Sequence, residues 1–318
     1  MRNDQRPTIG PFSFELVPIL GLTTFFRSSI IYSIMNRLST DKRVQIVSAL
    51  IEGNSIRSIT RMFSVGKDTV LKLLAELGTV CADYHDLAVR NVKAKHVECD
   101  EIWSFCYAKK KNIPKDKENV LGVGDLWTWT ALDAQSKLII SYACGKRDAN
   151  WAKAFIDDLA SRVSTRLQIT SDGLRFYAEA IEGAFGAEVD YAILIKLYGA
   201  PMQEDSSARY SPAQCIGTTI AIKSGNPDPN HICTSYVERQ NLTMRMSMRR
   251  FTRLTNGFSK KYENHCHNLA IYFMYYNFCR IHKTLRVTPA MEAGLASHPW
   301  DIAELVSLLE QKERAEAA

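Results

Sequence analysis

The feature that most restricts the fold of this chain is the order of strand-like and helix-like runs after residue 95. Five short apolar runs read as strands, and helical patterns follow the third and the fourth of them. The strand-like runs are 96–107, 126–133, 137–144, 167–171 and 189–197, and the helical ones are 148–163 and 175–185. Three adjacent antiparallel strands are thus followed by helix, strand, helix and strand.

This order resembles that of the ribonuclease-H-like mixed sheet, a fold in which the first and fourth strands lie side by side, so Asp100 and Asp172 are expected to lie close together. The predicted fold class is therefore α/β, with a ribonuclease-H-like catalytic domain over residues 95–290. Residues 198–234 are rich in Gly, Ser, Pro and Asn, and predict an insertion with a short strand at 218–222. Residues 291–318 predict a C-terminal helical tail.

Residues 38–80 predict an all-α unit ahead of the sheet. Two short helices joined by a tight Gly-containing turn, after a leading helix, are typical of a helix-turn-helix DNA-binding domain. In that interpretation Lys67, Thr69 and Lys72 face the major groove. A plain three-helix bundle or a dimerisation module has the same pattern and stays an alternative. Residues 79–94 would link this unit to the sheet.

The first 37 residues predict a disordered arm or an extension from a mis-assigned start, because Met35 begins a natural approach to the first good helix. The apolar stretch 12–35 is interrupted by Glu15 and Arg27, so we expect no transmembrane helix and no membrane partner. No small-residue cleavage site of a signal peptide follows it.

The chain has eight cysteines, and no two of them form a Cys-x-x-Cys pair. This distribution predicts free thiols in a reducing cytoplasm. A zinc site could be assembled only from scattered residues whose spacing does not support one, namely His231, Cys233, His265, Cys266 and His267.

Three acidic residues stand at the ends of predicted elements. Asp100 lies in the first strand, Asp172 directly follows the fourth, and Glu238 opens a long basic helix. Carboxylates gathered in this way hold a pair of hard divalent cations for phosphoryl transfer. We expect two Mg²⁺ or Mn²⁺ ions, with Asp100 bridging them, Asp172 binding one and Glu238 the other.

Two further acids lie beside Asp100. Strand alternation puts Glu101 on the opposite face of the sheet and Glu98 on the same face as Asp100. Glu98 is therefore the nearest rival ligand, ranked lower because it lies further inside the strand.

Basic residues follow Glu238 closely: residues 236–286 contain ten Lys/Arg and two Asp/Glu. A basic block next to a metal-binding carboxylate favours a nucleic-acid surface over an ordinary solvated face. Helical spacing places Arg245 and Arg249 on the face of Glu238. The expected phosphate contacts in this region are Arg239, Arg245, Arg249, Arg250 and Arg253. Lys109 and Lys110, at a loop tip after the first strand, either contact phosphate or are solvated.

The order of several short motifs is similar to that of a known family. These motifs are Asp100-Glu-Ile-Trp103, Thr170-Ser-Asp-Gly173 with Tyr177, Glu238-Arg-Gln-Asn-Leu242, Arg249-Arg-Phe-Thr-Arg253 and Phe258-Ser-Lys-Lys261. Over roughly residues 38–290 the chain resembles the DDE transposases of the insertion-sequence-one family. The most specific part of the resemblance is 234–261.

The resemblance implies a bacterial, nucleoid-associated enzyme that binds terminal inverted repeats and catalyses metal-dependent strand cleavage and transfer. Its triad falls on Asp100, Asp172 and Glu238. The implied partners are double-stranded DNA, both element ends and target, and further copies of the chain in a homo-oligomer. One departure is the lack of a Cys set ahead of the helix-turn-helix, where some relatives carry a zinc module.

Two other functions remain open at this point. A DNA-binding regulator derived from a transposase would keep the fold without the chemistry, and the intact acidic residues argue against it. A structure-selective nuclease of the same fold would cut DNA without joining it to a target.

Overall fold

The computed structural model describes residues 37–118, 120, 122–199, 215–252 and 255–317. The predicted N-terminal arm lies outside the described residues, except for its last residue, Arg37. Arg253 and part of the predicted insertion also lie outside them.

The helices and strands alternate in the predicted order. The strands are β1 His96–Cys106, β2 Gly124–Asp133, β3 Ile139–Gly145, β4 Leu167–Ser171, β5 Val189–Tyr198 and β6 Cys215–Ser224. The helices are α1 Thr40–Ile51, α2 Ile56–Phe63, α3 Lys67–Ala88, α4 Ala149–Arg162, α5 Phe176–Phe185, α6 Ser235–Ser247, α7 Tyr262–Met274, α8 Pro289–Glu292 and α9 Ile302–Ala317.

The six strands form one mixed sheet in the order β3-β2-β1-β4-β5-β6. β1 pairs antiparallel with β2 and parallel with β4, so the predicted central pair is confirmed. β6 extends the predicted short strand and pairs antiparallel with β5. This mixed α/β arrangement is compatible with a ribonuclease-H-like fold.

Both faces of the sheet are covered by helices. Successive residues of β1 point to opposite faces, so this strand contributes to the packing on both. Cys99 faces a cluster that includes Phe155 of α4 and Tyr177 of α5. Ile102 faces a second cluster, with Val237 of α6 and Phe273 of α7. β1 therefore lies inside the molecule, and helices pack on both sides of the strand that contains the acidic residues.

The three N-terminal helices form where their apolar stripes predict them, but α3 is longer than expected. It runs for 22 residues to Ala88. Most of the predicted link 79–94 is therefore helix, because Val80, Cys81 and His85 continue the buried face of α3. Gly78 of α3 lies directly against His267 of α7, which fixes this helix to the layer beneath the sheet.

The predicted C-terminal tail ends in α9, which packs on α1. Leu305, Val306 and Leu309 are buried. Arg43 of α1 donates to both carboxylate oxygens of Glu313, at 3.0 and 3.1 Å. No helix within the described residues has the length and hydropathy that crossing a bilayer requires.

Candidate functional site

An acidic cluster forms where β1 and β4 lie side by side. Cys99 is paired with Ser171 in the parallel ladder. Asp100 and Asp172 are the next residues of the two segments, so they lie side by side. One ligand atom from each of Asp100, Glu101 and Asp172 lies within 4.8 Å of the others. This confirms the prediction that Asp100 and Asp172 converge. It is also the one such group of His, Cys, Asp and Glu among the described residues.

Asp100 is held from both sides. Its Oδ1 accepts a hydrogen bond from the Glu101 backbone N–H at 2.8 Å, and its Oδ2 accepts one from Asn241 Nδ2 at 2.7 Å. Burial, with the neighbouring Glu101, Asp172 and Glu238 carboxylates, raises the pKa of Asp100 to about 7. Several carboxylates have gathered around Asp100, which is the electrostatic condition that favours a bound cation.

Glu101 belongs to the cluster although its side chain leaves the opposite face of β1. It reaches the group because Asp172 lies beyond the end of β4, where it is accessible from both faces. Its side chain is 1% exposed. Oε1 accepts from Arg147 Nε at 2.6 Å, and Oε2 accepts from the Tyr177 hydroxyl at 3.0 Å. The sequence signal for this residue was a second acid inside an apolar strand.

Glu238 lies near the cluster but outside the 4.8 Å group. Its Oε1 accepts from Lys196 Nζ at 2.5 Å and from Thr234 Oγ1 at 2.7 Å. Its side chain is 42% exposed, and its charge contributes to the raised pKa of Asp100. Among the acids proposed for the site, Glu238 is thus the one whose carboxylate holds a lysine ammonium.

Glu98, the predicted rival ligand, has a different task. Its Oε2 accepts from the backbone N–H groups of Tyr236 and Val237, at 2.8 and 2.9 Å. These belong to the first turn of α6, whose N-cap residue Thr234 makes no side-chain capping bond. Glu98 therefore caps, from β1, the helix that carries Glu238. Its ranking below Asp100 as a ligand agrees with this geometry.

We expect Glu98→Ala to lower the free energy of unfolding by about 2 kcal/mol, because two N–H groups in the first turn of α6, that of Val237 buried, lose their acceptor. Glu98→Gln keeps an acceptor oxygen and should retain most of the stability. Urea denaturation of both variants tests this. Equal losses in the two variants would contradict a capping role.

A pH effect follows from the carboxyl groups of this site. The pKa of Asp100 is raised to about 7, so the folded protein binds this proton more tightly than the unfolded chain. The contribution of Asp100 to stability is therefore favourable at low pH and is lost as the pH rises from about 4 to about 7.

We expect the free energy of unfolding of Asp100→Asn to be about 1 to 2 kcal/mol higher than that of wild type at pH 8 without divalent metal. Near pH 4 the two free energies should be equal. The Asn241 amide can turn to accept from the new amide, since its buried Oδ1 has no hydrogen-bond partner among the described residues. Urea denaturation at several pH values measures the difference. A difference independent of pH, or one matched by Asp157→Asn on the surface of α4, would contradict the explanation.

Within the described part of the chain, the predicted DNA-contacting residues fall in four places. Lys67, Thr69 and Lys72 are exposed on α3, and Lys109 and Lys110 are exposed after β1. On α6, Arg239 is exposed and Arg245 Nη1 donates to the Phe251 carbonyl at 3.4 Å. The remaining two, Arg249 and Arg250, lie beyond the helix.

The prediction that Arg249 shares a helical face with Glu238 is wrong. α6 ends at Ser247, and Met248 is extended, with φ −116° and ψ 113°. This break redirects Arg249 and Arg250 into a short 3₁₀ turn that faces the N-terminal helices. Helical spacing does not hold across an extended residue.

A basic cleft of about 760 Å³ opens between α1–α3 and the segment after α6. No Asp or Glu is among the described residues that line it. Its six cations are Arg57, Lys67, Arg249, Arg250, Lys260 and Lys261. The cleft therefore joins two sets of basic residues that are far apart in the sequence, and its charge suits a polyanion.

Arg250 shows the charge imbalance of this cleft most clearly. Burial lowers its pKa to about 10. Its Nη1 donates to Ser259 Oγ at 2.9 Å, and Ser259 Oγ is 2.7 Å from His265 Nδ1. Within the described ranges no carboxylate forms an ion pair with Arg250. A desolvated guanidinium without a carboxylate partner is stabilised by an incoming anion.

Comparisons with known proteins do not assign this chain to a family. No family model matches the sequence, and no curated protein matches it. Among solved structures, the chain is similar to a piggyBac transposase in a synaptic complex with hairpin DNA, determined by cryo-EM. The sequence identity is 12% and the TM-score 0.37, with 90% of this chain and 75% of that chain covered. Similarity at this level does not assign the chain to a family.

Proposed function

We propose that this protein is a transposase that cleaves and joins DNA strands with divalent metal ions. The observation that carries the proposal is the acidic cluster of Asp100, Glu101 and Asp172, with its ligand atoms within 4.8 Å, beside the central parallel strand pair. Carboxylate oxygens are the donors that Mg²⁺ and Mn²⁺ prefer. The raised pKa of Asp100 supports the same fit, because a cation would stabilise its ionised form.

Asp100, Asp172 and Glu238 would hold the metal ions in this proposal. Glu101 is 1% exposed and already uses both oxygens, on Arg147 and Tyr177, so it positions Arg147 beside the cluster. Glu238 is more accessible, and a metal ion would replace the Lys196 ammonium group as the partner of its carboxylate. Two bound divalent ions activate the attacking oxygen and stabilise the leaving oxygen in phosphoryl transfer.

The basic cleft supports DNA as the substrate. Its cations would hold phosphates along a duplex that reaches from α3 to the segment after α6. In this proposal α2 and α3 form the helix-turn-helix reader of the element ends, with Lys67, Thr69 and Lys72 toward the major groove.

The finer assignment extends the proposal to the insertion-sequence-one family. It includes terminal inverted repeats as the recognised sequence, a second DNA as the target, and a homo-oligomer on DNA. The motif series ending in Phe258-Ser-Lys-Lys261 supports it.

The test is a cleavage and joining assay with purified protein, Mg²⁺, labelled DNA carrying the element's own ends, and a target plasmid. Wild type should give joined products. Glu238→Gln should give neither cleavage nor joining, a loss on the order of 10³-fold, because a metal ligand is removed. Glu101→Gln should keep measurable cleavage but unfold at lower urea, since its charge-assisted bonds to Arg147 are weakened.

The opposite pattern would reassign the third ligand: cleavage by Glu238→Gln and none by a folded Glu101→Gln would place Glu101 on the metal. Cleavage without joining by wild type would indicate a nuclease. Binding to element ends without either reaction would indicate the regulator that keeps the fold without chemistry.

A further inference from the structure

A row of aromatic side chains lies on β1 beyond the acidic cluster. Trp103 and Phe105 alternate with buried residues of the strand, and Phe258 packs beside them. The ring centroids of Trp103 and Phe105 are 5.7 Å apart, and those of Phe105 and Phe258 are 4.8 Å apart. The interplanar angles are 33° and 29°. We call Trp103, Phe105 and Phe258 the aromatic platform.

The platform is not part of either hydrophobic core. All three residues are half-buried, and none belongs to the two core clusters of the described residues. By contrast, Trp129 on the neighbouring strand is fully buried in a cluster. Its ring meets that of Tyr177 at 77°, an edge-to-face packing. The rings of the platform instead meet at smaller interplanar angles, and each of them is partly exposed.

Backbone pairing holds the platform together. The Tyr107 N–H donates to the Ser259 carbonyl at 2.8 Å, and Cys106 forms a parallel bridge with Ser259. This pairing brings the segment Phe258-Ser-Lys-Lys261 next to the end of β1. It explains structurally why Phe258 lies against Phe105 although they are far apart in the sequence.

Positive charge lines the platform. Lys109 Nζ lies 5.8 Å from the Trp103 ring centroid and 5.7 Å from that of Phe105. Lys260 Nζ lies 3.8 Å from the Phe258 ring centroid, and Lys260 also lines the basic cleft. An acid is nearby too: Asp125, paired with Phe105 across the strands, accepts from the Lys110 backbone N–H at 3.1 Å.

The other end of the row meets the acidic cluster. Trp127 on β2 pairs in register with Trp103, and the Arg147 guanidinium lies 4.6 Å from the Trp127 ring centroid. The same Arg147 contacts Glu101 at 2.5 Å and is 3.8 Å from Asp172. Rings and cations therefore lie both beside the acidic cluster, at Trp127 and Arg147, and beside the basic cleft, at Phe258 and Lys260.

We propose that the aromatic platform binds unpaired bases of a nucleic-acid strand that enters or leaves the acidic cluster. Aromatic rings interleaved with lysines suit this ligand, since every base has a face that stacks and every phosphate attracts an ammonium group. A duplex hides its base faces and gains nothing from the rings. The proposal deepens the proposed function and rests on it for the role of the bound strand. Binding itself is measured without any reaction.

The test compares two DNA ligands in EDTA, so that no metal-dependent cleavage occurs. The probes are a fluorescein-labelled single strand of about 12 nucleotides and the duplex of the same sequence, followed by anisotropy. Trp103→Ala should weaken single-strand binding about tenfold and change duplex binding by less than about twofold. Phe176→Leu is the control and should change neither, because Phe176, on α5, is also half-buried and has a cation, the Arg175 guanidinium, 4.9 Å from its ring centroid.

A second variant keeps the proposal testable if Trp103→Ala fails to fold. Phe258→Leu retains an apolar side chain but removes the ring. It should reduce the quenching of a 2-aminopurine base placed in the single strand, which reports stacking directly. Unchanged single-strand affinity and quenching in folded variants would overturn the proposal.

Other outcomes would also overturn it, and they point to different explanations. An equal loss of single-strand and duplex binding would make the rings part of a general DNA surface. A change in sedimentation without a change in DNA binding would make the platform a protein interface. Neither result depends on cleavage, so failure here is separate from failure of the proposed transposase chemistry.

Discussion

Asp172→Asn is expected to abolish metal-dependent strand cleavage, lowering its rate on the order of 10³-fold or more, while leaving the fold intact. The Asp172 side chain is 39% exposed, so the loss of its charge costs little in packing. Its Oδ1 accepts from the Leu174 N–H at 2.9 Å, and an asparagine oxygen can keep that bond. The variant therefore removes the charge of a proposed metal ligand and, apart from the 3.8 Å contact with Arg147, changes little else.

Single-turnover cleavage of labelled end DNA in Mg²⁺ measures this effect. Asp157→Asn is the control, because that acid lies on α4 with Lys153 as its partner. A second readout is thermal: Mg²⁺ should raise the melting temperature of wild type and of Asp157→Asn, but raise that of Asp172→Asn much less. A folded Asp172→Asn protein that cuts at the wild-type rate would remove Asp172 from the site.

Gly78→Ala is expected to lower the free energy of unfolding by about 2 kcal/mol or more, although alanine gains about 1 kcal/mol in helix propensity. A Cβ at position 78 would lie 2.6 Å from the Cα and 2.8 Å from the carbonyl oxygen of His267. These are backbone atoms, which cannot move without separating α3 from α7. The variant therefore tests how firmly the N-terminal helices are fixed to the layer that covers the sheet.

Gly183→Ala provides the matched control for this substitution. Gly183 is also inside a helix, α5, but a Cβ there would meet nothing within 4 Å. It should therefore raise the free energy of unfolding by about 0.5 to 1 kcal/mol. Urea denaturation of both variants followed by tryptophan fluorescence gives the comparison. Similar effects of the two substitutions would show that α3 and α7 are not in tight contact.

The sheet could be predicted from the sequence because its information is local. Strand runs, hairpin breaks and helical stripes each extend over a few residues, and their order leaves few ways to arrange five strands. The neighbouring positions of Asp100 and Asp172 followed from that order, and the parallel pairing of β1 with β4 confirms them. The extra length of α3 was missed because the sequence pattern alone did not separate a continued helix from a link.

The site could be predicted only in part, because the remaining contacts depend on side chains that leave opposite faces. Period-two alternation correctly placed Glu101 away from Asp100, yet both reach Asp172, which lies beyond the strand end. Alternation also put Glu98 beside Asp100 and could not show that α6 begins directly over it. The pairing of Glu238 with Lys196 has the same cause, since β5 and α6 meet only in the folded chain.

By itself, then, the sequence determined the order of strands and helices, which is that of a fold whose first and fourth strands are neighbours, and so it determined that Asp100 and Asp172 converge. Only the tertiary structure decided that Glu101 joins them and that Glu238 stays outside the group. It decided which carboxylate caps a helix, which one holds a lysine, and which cations face one another across the cleft. It also decided that Phe258 completes an aromatic surface on β1. Those contacts depend on how elements that are far apart in the sequence pack against each other, and no local sequence pattern determines that packing.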